Sequence, residues 1–143
     1  ALDRLVPSEI AASLRTSRLG RRIVCEKEVD STNRLARDLA IAGAVEGTTV
    51  VAESQTAGRG RKGRTWFSPP GEGIYVSLVL RPRFLPAEAP KTTLLAGVAL
   101  AEALLPIVPG RVTIKWPTTS WRAGKRLQAF WSRPPRRSMP SIT

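Results

Sequence analysis

Histidine is absent from this chain of 143 residues, which excludes any mechanism that needs an imidazole as acid, base or metal ligand. Cysteine occurs once, as Cys25, so no internal disulfide forms. Its place in an apolar strand pattern reads as a small core residue, in keeping with a reducing cytoplasm. No apolar run reaches the length of a membrane span, and the N-terminal residues lack the apolar core of a signal peptide. The first residue is Ala rather than Met, which leaves open a processed start or a piece of a longer chain. The size fits one domain.

Acidic residues are scarce, 11 against 23 Lys and Arg, for a formal net charge of +12. Such an excess invites a nucleic-acid reading, but its distribution argues against one. Residues 118–143 carry Arg122, Lys125, Arg126, Arg133, Arg136 and Arg137 and no acid. Four more cations sit in one short loop, and the body of the chain is close to neutral. The excess lies in a loop and a tail, not along a helix face or stripe.

That loop is the most informative stretch present. Gln55-Thr-Ala-Gly-Arg-Gly-Arg-Lys-Gly-Arg-Thr-Trp66 packs Gly58, Gly60 and Gly63 among Arg59, Arg61, Lys62 and Arg64. It follows Thr48-Thr-Val-Val-Ala-Glu53, which reads as a strand, so it is expected on a loop at a strand end. Glycine lets backbone amides approach a ligand, and arginine supplies planar donors for carboxylate and phosphate oxygens. The combination suits a small acidic ligand that is to be joined to a phosphate. A solvated basic turn or a nucleic-acid-binding arginine–glycine segment is the alternative.

The remaining pattern is mixed. Pro7 to Leu14 reads as a short helix with Ser8 as N-cap. Arg22 to Val29 reads as a strand, and Ser31 or Thr32 caps a helix through Ala42 with Leu35, Leu39 and Ala40 on its apolar face. Pro69 to Gly73 is a turn, and Ile74 to Leu80 a strand buried on both faces. Thr92 to Leu105 is a long Ala- and Leu-rich helix, and Arg111 to Lys115 a last strand. The order gives an α+β class, a mixed sheet covered by helices with its functional groups on loops.

Val29-Asp-Ser-Thr-Asn-Arg34, the glycine–arginine loop and Ile114-Lys-Trp-Pro117 stand in this order along the chain. Together they resemble the catalytic domain of biotin protein ligases, marked by (E/D)STN, QxxGRGRxGRxW and KWPND segments. The loop is the specific element. The resemblance implies a class II synthetase-like biotin/lipoate ligase domain over residues 1–117, incomplete at its C-terminus. Residues 5–20 also resemble the helix that links a winged-helix repressor domain to the ligase domain in two-domain members.

The implied activity joins biotin to ATP as biotinyl-5'-AMP and passes the acyl group to a lysine of a biotin carboxyl carrier domain. Biotin, ATP and Mg2+ are the implied ligands, with no protein metal site, a cytoplasmic setting, no membrane or nucleic-acid partner, and a homodimer left open. Ser31, Thr32 and Asn33 would line the biotin pocket, with Ser31 capping its helix as well, and Gln55 would hydrogen-bond biotin. Gly58, Arg59, Gly60 and Arg61 would wrap the carboxylate and the adenylate phosphate. Arg64 and Trp66 share the loop, with Trp66 chiefly a packing residue. Lys115 would face the nucleotide phosphates and join Arg59 and Arg61 as the catalytic cations, acting by placement and electrostatics. Trp116 reads as core or pocket wall. Glycine content further predicts a loop that is mobile until ligand orders it. Lipoate and octanoate enzymes share the implied fold but carry a different glycine-rich signature, usually with histidine.

After Pro117 the pattern breaks. The family has Asn-Asp-Leu and, further on, Lys-Val-Ala-Gly-Ile-Leu-Val-Glu; this chain has Thr118-Thr-Ser120 and Lys125-Arg-Leu-Gln-Ala-Phe-Trp-Ser-Arg133. An AAC codon that loses one A, read on into GAC and CTC, gives Thr-Thr-Ser, and the later segment is recoverable in the same frame. Residues 118–143 thus read as an out-of-frame tail without helical or strand period, a divergent native tail being the alternative. Thr118-Thr119 then replaces an expected carboxylate, Arg126 stands at the expected catalytic lysine, and poor stability with little or no ligase activity is the expectation.

Overall fold

The structure is a computed structural model that describes residues 4–60 and 63–107, and the backbone of 113–115, 119–122 and 125–128. It divides into two compact units, Ala1–Pro82 and Arg83–Thr143.

The first unit is built on a four-stranded mixed sheet. Strand β1 (Ile23–Val29) leads into helix α2 (Thr32–Ile41) and returns as β2 (Thr49–Arg59), parallel to β1 with Val24 opposite Val50. Parallel neighbours need such a crossover, and here a helix supplies it. The other edge of β2 is shared by two antiparallel strands. Strand β4 (Tyr75–Leu78) pairs with its first half, and β3 (Thr65–Ser68) with its second. A short helix α1 (Pro7–Ser13) precedes β1.

The core lies between α2 and the sheet. Val50 is fully buried, clustered with Ala36 and Val79, and Val24, Leu35, Leu39 and Ala40 pack against them. The apolar face read from the sequence is the face that packs. Burial of one such valine contributes about 1.5–3 kcal/mol.

The turn after α2 holds the helix on the sheet. Gly43 adopts φ +93°, and the Gly43 and Ala44 amides donate to Ala40 O at 3.3 Å and Leu39 O at 2.9 Å, the paired bonds of a Schellman end. Arg81 adds donors from Nη2 to Ala40 O and Ala44 O at 2.9 and 2.8 Å. At Gly47, φ is +85° and a Cβ would lie 1.8 Å from Arg18 O, so no side chain fits without moving backbone.

Several sequence expectations are corrected. Helix α1 has Val6, not Ser8, at its N-cap, because Pro7 takes the first helical turn. Strand β2 does not stop at Glu53 but runs through Arg59, and Trp66 lies in a further strand. The glycine–arginine segment is therefore strand, turn and strand; glycine tolerated in β2 lets β3 come close. Strand β4 is not buried on both faces: its exposure alternates, with Val76 and Leu78 outward.

The second unit holds a 3-10 turn (Pro86–Glu88), helix α3 (Pro90–Leu104) and an antiparallel meander of β5 (Thr113–Lys115), β6 (Thr119–Arg122) and β7 (Lys125–Gln128). Strands β6 and β7 fall where the sequence shows no strand period. Cross-strand pairing, Ser120 opposite both Ile114 and Leu127, supplies the order that local pattern does not. Residues 129–143 lie outside the described residues.

Candidate functional site

The Asp-Ser-Thr-Asn turn is fastened onto β2. Asp30 accepts the Ser31 amide at 2.6 Å and pairs with Arg34 at 2.7 Å, while its carbonyl accepts the Ala57 amide at 2.8 Å. The first turn of α2 is thereby brought against the irregular stretch of β2 between Gln55 and Gly58.

From there a continuous hydrogen-bond chain crosses the unit. Ser77 Oγ donates to Thr32 Oγ1 at 3.0 Å, and Thr32 donates to Gln55 Oε1 from both its hydroxyl, at 3.1 Å, and its amide, at 2.9 Å. Gln55 Nε2 donates to Ser68 Oγ at 3.0 Å, and Ser68 donates to Trp66 O at 3.4 Å. Thr32 and Ser68 are 4% and 3% exposed, so these bonds work in a water-poor setting where polar groups must be satisfied.

Ser31 is 2% exposed and stands at the N-cap, yet makes no side-chain cap bond. The expectation that its hydroxyl also caps the helix is not met: no first-turn amide of α2 donates to it. Asn33 is half-buried in the first turn of α2. Gly58 is buried, and a Cβ there would meet Trp66 O at 2.6 Å and Ser68 Oγ at 2.9 Å. Arg59 ends β2, exposed, and the Gly60 amide donates to Arg64 O at 2.7 Å to close the hairpin. Arg59 and Arg64 form no ion pair among the described residues, so their guanidiniums remain available to an anion. Trp66 is 39% exposed. It shares a face of β3 with buried Ser68, while Phe67 between them, 84% exposed, takes the solvent face.

Arg61 lies outside the described residues, as does Trp116, and Lys115 is placed only as the last residue of β5. Thr32, Gln55 and Gly58 are thus brought together, with Arg59, Gly60 and Arg64 following on the same hairpin. Sequence reasoning missed Ser68 and Ser77, lone serines in short strands whose positions come from register with β2. A surface cleft of about 330 Å³, lined by Lys27, Glu28, Glu53, Ser54 and Pro70, shares none of these residues.

The chain from residue 26 to residue 131 matches the model of the biotin/lipoate A/B protein ligase family. The chain belongs to that family. Among relatives of this biotin/lipoate ligase chain, the bifunctional ligase/repressor BirA of Bacillus spizizenii is 41% identical over 123 residues, 86% of this chain and 38% of its own. The biotin–[acetyl-CoA-carboxylase] ligase of Mycobacterium tuberculosis is 33% identical over 135 residues, 87% of this chain and 51% of its own. Among solved structures, the Aquifex aeolicus biotin protein ligase in complex with biotin and ATP is similar with TM-score 0.65 at 34% identity. That match covers 74% of this chain and 44% of the other. The chain therefore spans about two fifths to one half of the length of these ligases. The fold of this family member is the mixed sheet with helices expected from its sequence. No helix among its described residues is long and apolar enough to cross a membrane.

Proposed function

We propose that this chain carries the biotin-binding part of a biotin protein ligase, and that the Thr32–Gln55–Ser68 chain beside the glycine–arginine hairpin is its ligand site. The supporting observation is the combination itself: buried hydroxyls and a locked amide suit a ureido head group, and Arg59 and Arg64 on the adjoining hairpin, without an ion pair among the described residues, suit a carboxylate and a phosphate. Lipoate has no ureido group to engage such a chain, and the relatives named above are biotin ligases.

Magnesium–ATP enters as a substrate and supplies the leaving group: biotin's carboxylate attacks its α-phosphate and pyrophosphate departs. The ε-amine of a carrier-domain lysine then attacks the mixed anhydride, forming an amide and releasing AMP. Ser31, Thr32, Asn33 and Gln55 hold the head group. Gly58 and Gly60 bring backbone close to the ligand, and Arg59, Arg61, Arg64 and Lys115 balance charge that builds on phosphate and acyl oxygens. Trp66 borders the same site. No step uses a protein nucleophile. The carrier is a biotin carboxyl carrier domain of a carboxylase, and the setting is cytoplasmic.

The same reading takes residues 1–117 as ligase sequence and 118–143 as its out-of-frame continuation. With Thr118-Thr119 and Arg126 at positions expected to hold carboxylate and lysine, ligation is expected to suffer more than biotin binding. Biotin-dependent exchange of labelled pyrophosphate into ATP, together with biotin transfer to a carrier domain, tests the activity. Absence of both exchange and saturable biotin binding would overturn it. Resequencing the encoding DNA across codons 115–133 tests the frame: an extra base after codon 117 is the expected result, and its absence from template and repeat reads removes the sequencing-error account.

A further inference from the structure

We propose that Ser77 is a positioning residue for biotin binding: by donating to Thr32 Oγ1 it holds the Thr32 hydroxyl proton on Gln55 Oε1, and so steadies the amide that Gln55 turns toward the ligand. This rests on the functional reading above. The direction of the bonds follows from chemistry alone. The Thr32 amide can only donate, so the atom of Gln55 it meets at 2.9 Å must be the oxygen, and the side-chain amide cannot be flipped. That oxygen can only accept, so the Thr32 hydroxyl 3.1 Å away must spend its proton there. With its proton spent, Thr32 Oγ1 can only accept from Ser77, which lies 3.0 Å away on β4. At the other end Gln55 Nε2 gives one hydrogen to Ser68 at 3.0 Å.

The chain keeps one unspent proton, the second Nε2 hydrogen of Gln55, beside spare acceptor lone pairs on its hydroxyls. A cyclic urea offers one carbonyl acceptor flanked by two N–H donors, and its carbonyl can take the proton that Gln55 leaves unspent. Without the Ser77 hydroxyl, Thr32 Oγ1 loses the partner that holds it, its proton is free to turn away from Gln55, and the amide keeps only the backbone bond to Thr32.

Ser77→Thr and Ser77→Val test this as a pair, since the two side chains are nearly the same shape, both suit a strand, and differ in the hydroxyl. The full chain is labelled with 15N; the Gln55 side-chain amide resonances are followed and biotin is titrated calorimetrically, with thermal unfolding recorded for each variant. The expected result is that Ser77→Thr keeps the resonances and the biotin Kd, while Ser77→Val shifts the resonances and raises Kd about fivefold or more, the loss of one hydrogen bond. Unmoved Gln55 resonances in Ser77→Val overturn the proposal whatever biotin does. Equal losses of biotin affinity in both variants also overturn it, because shape rather than the hydroxyl would then be at fault. If the resonances move as expected but even the unaltered chain binds no biotin, the positioning holds and the functional reading fails.

Discussion

The Thr32 amide donates to Gln55 Oε1 at 2.9 Å across 23 residues of sequence, tying the first turn of α2 to the middle of β2. Two motifs that lie apart in the chain thereby become one site. Helix N-termini leave amides that need partners, and this one is given a side chain from the sheet instead of its own cap. The bond thus serves the fold and, in the proposed reading, the ligand site as well.

Gly58→Ala is expected to lower stability by about 1–3 kcal/mol and to weaken biotin binding with it. The added methyl would press on Trp66 O at 2.6 Å, a backbone atom of the neighbouring strand, and on Ser68 Oγ at 2.9 Å, a member of the chain. Denaturant unfolding reads the first effect and biotin titration the second. By contrast Gly63→Ala meets no atom within 4 Å, so its stability cost is confined to the left-handed backbone at φ +74°. Equal stability of Gly58→Ala and the parent chain would show that β3 does not approach β2 as described.

Arg81→Ala is expected to cost about 1–2 kcal/mol of stability without changing biotin affinity. Its guanidinium donates to Ala40 O and Ala44 O at the far end of α2 from Thr32. Arg81→Lys should recover only part of the loss, since an ammonium does not reproduce the planar fork. A biotin Kd that changed with Arg81→Ala while stability did not would contradict this division of labour.

Fold and site were legible in the sequence to different depths. The apolar face of α2 was readable because Leu35, Leu39 and Ala40 repeat at helical spacing, and the glycine–arginine segment stood out as a candidate site because glycines and arginines rarely crowd together. The true extent of β2 was not, since Gly58 and Gly60 signal a loop while the pairing of Gly58 with Trp66 makes a strand. Ser68 and Ser77 carried no signal because a serine in a strand announces neither a turn nor a cap; only register places them beside Gln55 and Thr32. The idle cap at Ser31 was hidden because the residue type fits a cap whether or not the bond is made.

Cys25 is expected to react slowly with iodoacetamide. Burial, with the nearby Glu26 carboxylate second, pushes its thiol above the usual value of 9.0, and the thiolate is the reactive form. Alkylation at about pH 8 should accelerate when denaturant is added, as the thiol returns to an ordinary environment. The same shift has a stability consequence. The neutral thiol is favoured in the folded chain, so its contribution is whole below the unfolded pKa and is lost as pH rises through the higher folded one. Alkylation as fast in the folded chain as in denaturant would contradict the placement of Cys25 in β1.

The most direct measurement is a calorimetric titration of biotin into the full chain and into Gln55→Glu. Glutamate keeps acceptor oxygens for the Thr32 amide and hydroxyl, and lets the Ser68 hydroxyl turn to donate, so the fold survives. What it removes is the N–H that Gln55 turns toward the ligand. The expected result is saturable binding near one equivalent for the unaltered chain and at least about a tenfold weaker Kd for Gln55→Glu. No binding by the unaltered chain, or the same Kd for both, would contradict the assignment of this chain of hydroxyls and amide as a biotin site.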